Sequence, residues 1–309
     1  MEWPKVQVFS TKFHTEYKFI GGSWLPMAMC FAMLSAIFVP YLIVLGRGTL
    51  NPFLPFVSQA AGSPPQSGVF TLLIVTSCLL AFIGLNLLHM GVRIQKKRLD
   101  DQWARHTTSL LNKVSLIPGH LGILGMILVA GFPIDFYRAS ENWMSITIIP
   151  HLIGALSLFL GGIFYCILIT YIMSLLHPEQ KQLLGIRVFL ICLITMCSAL
   201  QGYTVRDGFM EGLDEGNRLK DCVVGPHNVP YNMSYLVSSV CEWSLLLAFV
   251  VFFMTLREEA ADFCFSMTIT LKEDSQIKSL EKKEDFETNA KDENQNIGNS
   301  EDKCSIIEE

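Results

Sequence analysis

The chain has 309 residues, 51% of them hydrophobic and only 17% charged, with a mean hydropathy of +0.40. That composition excludes a soluble domain of ordinary make-up and requires lipid around the chain. The net charge of −5 is unevenly spread, since residues 257–309 hold 15 of the 28 acidic residues but 7 of the 23 basic ones; scattered basic residues and an acidic tail exclude nucleic acid as a partner.

Residues 1–23 are polar and read as a cytosolic N-terminal segment. No cleavable signal peptide is recognisable, because the first apolar run is too long and lacks a small-residue cleavage pattern, so the first helix is expected to act as a signal anchor. Two short strings occur here. Glu2-Trp3-Pro4-Lys5-Val6 has the aromatic-x-x-aliphatic form that docks extended peptides onto autophagy adaptors, and Tyr17-Lys18-Phe19-Ile20 has the form read by endolysosomal sorting adaptors. Both are loose enough to recur by chance.

A hydrocarbon core of about 30 Å takes about 20 apolar helical residues to cross. Six stretches meet that length, at 24–46, 69–90, 114–133, 150–176, 183–203 and 235–256. The expected fold is therefore an all-α six-transmembrane-helix bundle. Basic residues on the side of the termini number 18 against 5 on the other, which places both termini in the cytosol by the positive-inside rule. The second loop votes most strongly, with Arg93, Lys96, Lys97, Arg98, Arg105 and Lys113 in a short connection. It reads as a topology signal, with contact to anionic lipid heads as the alternative. Gly119, Gly122 and Gly125 in the third helix, Ser157 and Gly161 in the fourth, and Ser198 and Gly202 in the fifth predict close approach of those three helices.

The loops and the tail carry the remaining signals. The first loop, residues 51–70, runs NPFLPFVSQAAGSPPQSGVF, and its four prolines forbid a helix through it. Asn232 opens a glycosylation sequon on the expected lumenal side, three residues before the sixth span, where access for the transferase is poor. Residues 263–271 alternate apolar and small polar residues with a period of two, which predicts a short extended segment rather than helix. The acidic stretch from 272 to 309 lacks any apolar run and reads as a disordered tail. Its DKCSII string, residues 302–307, has the outline of an acidic di-leucine signal.

Six of the nine cysteines lie in apolar segments and no CxxC pair occurs, so neither a metal site nor a disulfide framework is expected. Cys222 is alone in its loop, and Cys304 lies too far from the end for a CaaX box. Cys264, just past the last span, is a candidate for palmitoylation, with a free thiol as the alternative. Glu242 is the one carboxylate deep inside an expected span. Such a group is expensive in lipid and calls for a partner. His151 at the start of the fourth span is the candidate on the functional reading, and a neutral, hydrogen-bonded Glu242 that fixes helix packing is the structural one. His120 and Asn86 read as satisfied interhelical contacts. No catalytic motif, cofactor motif or phosphate loop is found, and none is expected to act.

Two segments together resemble the DNA-damage-regulated autophagy modulator (DRAM) family. The first loop matches through Asn51, Pro52, Pro55, Ser58, Gly62, Pro64, Pro65 and Ser67; the last helix matches through Cys241, Glu242 and Trp243 and its acidic exit. The short first loop favours this branch over the related transmembrane-150 and Frag1 groups. Gln59 and Gln66 stand where the family usually carries acids. The resemblance implies a non-catalytic, six-helix protein of lysosomal and endosomal membranes that modulates autophagy, with the lipid bilayer and unidentified membrane or autophagy proteins as partners. The alternatives are a carrier or channel for a small solute or lipid, and a plasma-membrane scaffold of the transmembrane-150 kind.

Overall fold

A computed structural model describes residues 5–10, 14–48, 54–134, 144–214, 233–261 and 263–270. Asn51 and Pro52 of the first loop, the Asn232 sequon, Trp3, Cys222, Cys304 and the acidic tail lie outside the described residues. Two compact units are present, one of residues 22–263 and one drawn from the two ends of the chain.

The larger unit is helical. Its elements are α1 (Trp24–Arg47), a single turn α2 (Val57–Ala60), α3 (Gln66–Gln95), α4 (Gln102–Val114), α5 (Leu116–Gly131), α6 (Ile149–Leu176), α7 (Lys181–Asp214), α8 (Met233–Thr255) and α9 (Arg257–Ala261). Among the described residues, six helical stretches are long and apolar enough to cross a membrane: Trp24–Arg47, Gln66–Arg98, Gln102–Gly131, Ile146–Leu176, Lys181–Thr204 and Leu236–Ala261. The third of these begins earlier than its apolar run. α4 is capped by Asp101, whose carboxylate accepts from the amides of Trp103 and Ala104, and it leads into α5 with a break at Ser115. Pro118 lacks the amide that would bond the Val114 carbonyl, and the ladder is interrupted there. α7 also runs past its expected end at 203, so the first part of the fifth loop is helical.

Helices α5 and α6 pack most closely, as their glycines predicted. A Cβ at Gly125 would collide with the backbone of Leu158, and one at Gly161 would lie 2.7 Å from the Pro118 carbonyl oxygen. The expectation for the fifth helix is corrected: α7 packs mainly on α8, and Gly202 has open space around it. Large apolar side chains set that contact, with Ile194 of α7 buried alongside Leu245 and Phe252 of α8 and Ile169 and Ile172 of α6. A second cluster gathers Met29, Cys30 and Ile37 of α1, Val57, Cys78, Met126, Trp243 and Val250.

The smaller unit departs from an all-α description. Strands β1 (Lys5–Ser10), β2 (His14–Ile20) and β3 (Cys264–Thr270) form an antiparallel sheet in the order β1-β2-β3. The register sets Val8 opposite Tyr17 and Tyr17 opposite Met267, and Val6, Phe19 and Phe265 likewise align. The extended segment expected after the last span is thus a strand, and its partner is β2. Because β2 is the central strand, both its edges are occupied, and the Tyr17–Ile20 string is not free for an adaptor that reads it by strand addition. Cys264, the palmitoylation candidate, opens β3 and is exposed.

Candidate functional site: the first loop fastened to the last helix

Cys241, Glu242 and Trp243 follow one another on α8, where each side chain points about 100° from the last. Each therefore meets a different neighbour. The Cys241 thiol bonds to the thiol of Cys197 on α7. The other two grip the first loop.

That loop descends from Leu54, which takes the left-handed conformation with φ of 45°, through Pro55 and Phe56 into the single turn α2. The first amides of any helix lack partners inside it, and the residue preceding this turn, Phe56, has no side chain able to cap them. Glu242 supplies the missing acceptor from 185 residues away. Its Oε2 accepts from the Val57 amide at 2.9 Å, and the amide and hydroxyl of Ser58 also donate to the carboxylate. Beside it, the Trp243 indole donates from Nε1 to the Pro55 carbonyl at 2.9 Å. The indole ring packs on α1, with its centroid 5.6 Å from Phe38 and 5.4 Å from Tyr41. Glu242, Trp243 and Val57 are all buried.

The rest of the loop is equally tied down. A Cβ at Gly62 would collide with the Ile134 carbonyl at the end of α5, so only glycine fits. The peptide between Pro64 and Pro65 is cis. Arg47 donates from Nη1 to the Pro64 carbonyl at 3.0 Å and to Gln66 Oε1 at 3.3 Å. Gln66 makes this hydrogen bond without a charge, where a carboxylate would make it an ion pair. Ser67 is buried at the start of α3, and its carbonyl accepts from Thr71, whose hydroxyl also reaches the Ala130 carbonyl of α5 at 2.9 Å.

Glu242 and Trp243 of the last helix are thereby brought together with Pro55, Val57 and Ser58 of the first loop, while Cys241 faces α7. His151 is not part of it. Its Nδ1 lies 2.9 Å from the Phe132 carbonyl, joining the start of α6 to the end of α5, and the expected pairing with Glu242 is corrected. The partners of Glu242 are backbone and hydroxyl donors, which satisfy a buried carboxylate without a second charge. Asn86 is also corrected, since it donates to the Phe82 carbonyl one turn back in its own helix at 2.8 Å; His120 Nδ1 lies 2.7 Å from the Leu116 carbonyl of its own helix, while its ring makes the expected interhelical contact, edge-on to Phe82 of α3 at 5.4 Å. Among the described residues no group of His, Cys, Asp and Glu is arranged to hold a metal ion.

At the opposite ends of the spans the structure shows an ion pair that the sequence reading passed over. Arg187, fully buried on α7, donates from Nη2 to Glu259 Oε2 at 2.9 Å and to the Thr255 carbonyl at 3.0 Å, and from Nε to the Thr255 hydroxyl at 2.9 Å. The signal in the sequence is a lone arginine four residues past Leu183, inside the fifth apolar stretch.

Six membrane-length helices, with a proline-rich loop fastened onto the last, define a multi-pass membrane protein. The chain matches the Frag1/DRAM/Sfk1/Cwh43P N-terminal domain family over residues 21–263 and belongs to it. It is 26% identical over 241 residues to DNA damage-regulated autophagy modulator protein 1 of Homo sapiens, covering 77% of this chain and 91% of that protein. The Mus musculus protein 1 is 24% identical over 256 residues (82% and 97% covered), and protein 2 of Rattus norvegicus is 25% identical over 239 residues (76% and 82%). No solved structure matches the chain.

Proposed function

We propose that this protein is a non-catalytic modulator of autophagy resident in lysosomal or endosomal membranes, with both termini in the cytosol. The observation that carries the reading is the fastening of the first loop to α8 by Glu242 and Trp243. Glu242 and Trp243, two of the residues that carry the resemblance, hold this loop in one shape. The Glu242 carboxylate accepts three bonds from the loop, a role in which it shapes a surface rather than moves protons. Relatives of similar length are named autophagy modulators, which supplies the process. The excess of basic residues at the ends of the spans that lead to the termini supplies the orientation.

The test is to delete the gene, measure turnover of lipidated autophagosome marker with and without lysosomal inhibition, and re-express the tagged chain. The expected result is restored flux and colocalisation with endolysosomal markers. Plasma-membrane residence with unchanged flux would refute the reading. Saturable movement of a labelled solute or lipid in vesicles holding the purified protein would replace it with a carrier.

A further inference from the structure

The geometry points to a binding site for the headgroup of an anionic glycerophospholipid between α3 and α4, formed by Arg93, Lys96, Ser109 and Lys113. These helices make an antiparallel hairpin whose register is pinned by polar contacts. Asn112 donates from Nδ2 to the His89 carbonyl at 2.9 Å, while His89 Nδ1 lies 3.0 Å from the Asn112 carbonyl. One step further out, Lys96 Nζ donates to the Ser109 hydroxyl at 2.7 Å. Nearer the tip, Arg105 Nε donates to the Leu99 carbonyl at 3.2 Å.

Depth follows from length. α5 has 16 residues, about 24 Å, and cannot alone cross a hydrocarbon core of about 30 Å. Counting about 20 residues back from Gly131 puts the edge of the core near Asn112. Lys113 stands at that edge. Arg93 follows His89 by one turn, and the Lys96–Ser109 bond lies about one turn beyond Asn112, so all three cations fall in a band about 6 Å deep where lipid phosphates sit. Arg93 and Lys113 are exposed. Val114 and Ile117, on the core side of this edge, are exposed, and Met90 and Leu110 are exposed apolar residues within the band itself. Cations over apolar flanks match a headgroup over acyl chains.

The six cations of the hairpin, Arg93, Lys96, Lys97, Arg98, Arg105 and Lys113, outnumber its two acids, Asp100, which is exposed at the tip, and Asp101, which caps α4; nearby, Glu258 pairs with Arg257, Glu259 is buried against Arg187 and Glu179 lies beside His177. The charge complementarity is what selects an anionic lipid over a zwitterionic one.

The experiment uses the full chain, purified in a neutral detergent and examined by native mass spectrometry during titration with dioctanoyl phosphatidylserine, dioctanoyl phosphatidylcholine or soluble glycerophosphoserine. The expected result is saturable binding of phosphatidylserine at one or two copies, with no phosphatidylcholine bound in the same range. R93Q/K96Q/K113Q should weaken binding about a hundredfold, at about fivefold per cation. K97Q/R98Q/K181Q removes the same charge outside the band and should change it less than about threefold. R93E/K113E, which leaves the Lys96–Ser109 bond in place, covers the case in which the triple variant fails to fold. Equal binding of phosphatidylcholine, retained affinity in the band variants, or an equal loss in the control would overturn the site. Binding of glycerophosphoserine as tight as that of the lipid would also overturn it, by making the ligand a free phosphate compound.

Discussion

Replacing Glu242 with alanine removes the acceptor for the Val57 amide and for the Ser58 amide and hydroxyl, all drawn from a loop that Phe56 cannot cap. A buried donor left without a partner costs about 1–3 kcal/mol, and three donors on one short turn relax together, so the local cost is about 3–5 kcal/mol. E242Q retains one acceptor oxygen but turns amide hydrogens toward the same donors, and it should cost about half as much. Hydrogen exchange of the purified protein, read by mass spectrometry on peptides spanning residues 54–66, measures this directly. In E242A the Val57 and Ser58 amides should exchange about 10² to 4 × 10³ times faster, with E242Q between E242A and wild type, while amides in α5 and α6 keep their protection. H151A should leave these loop amides unchanged, because His151 bonds to Phe132 instead. Unaltered protection of Val57 in E242A would show that the carboxylate does not hold the loop.

Three further outcomes follow from the packing. G62A should destabilise by about 1–3 kcal/mol, because the Ile134 carbonyl blocks its Cβ, whereas G185A, with open space around it, should be neutral or stabilising in a thermal melt. R187M leaves Glu259 buried and unpaired at a cost of about 3–5 kcal/mol, and R187M/E259M should recover most of the lost thermal stability. G161A forces α6 away from Pro118 and Gly122 and should lower the melting temperature more than G202A.

The six spans were legible because an apolar run of membrane length has few other readings. Less regular elements were harder. α4 was hidden by its polar face and by the basic residues around it, although Asp101 ahead of it is an ordinary helix-start signal. β1 and β2 also show alternation, with Val6 and Val8 set between Lys5, Gln7 and Phe9, but the run is short and its third strand lies more than 240 residues away. Both halves of the site were recognised as signatures, and nothing in the chain reveals that they touch, since no periodicity links residue 57 to residue 242. Residue types point to His151 as a charged partner for Glu242, or to a hydrogen bond whose donor they do not name. Backbone amides at an uncapped helical turn serve a carboxylate as well, and they leave no mark in residue identity.

The pairing of β2 with β3 has a consequence for the path of the chain. Residues 14–20 and 264–270 share one hydrogen-bonded ladder and so occupy the same aqueous compartment. Everything between them must cross the bilayer an even number of times. The sheet thus acts as a parity check on the span count, independent of hydropathy and of charge. A reporter fused to either end reads the same side, and a reporter fused after an odd number of spans reads the opposite side from β2.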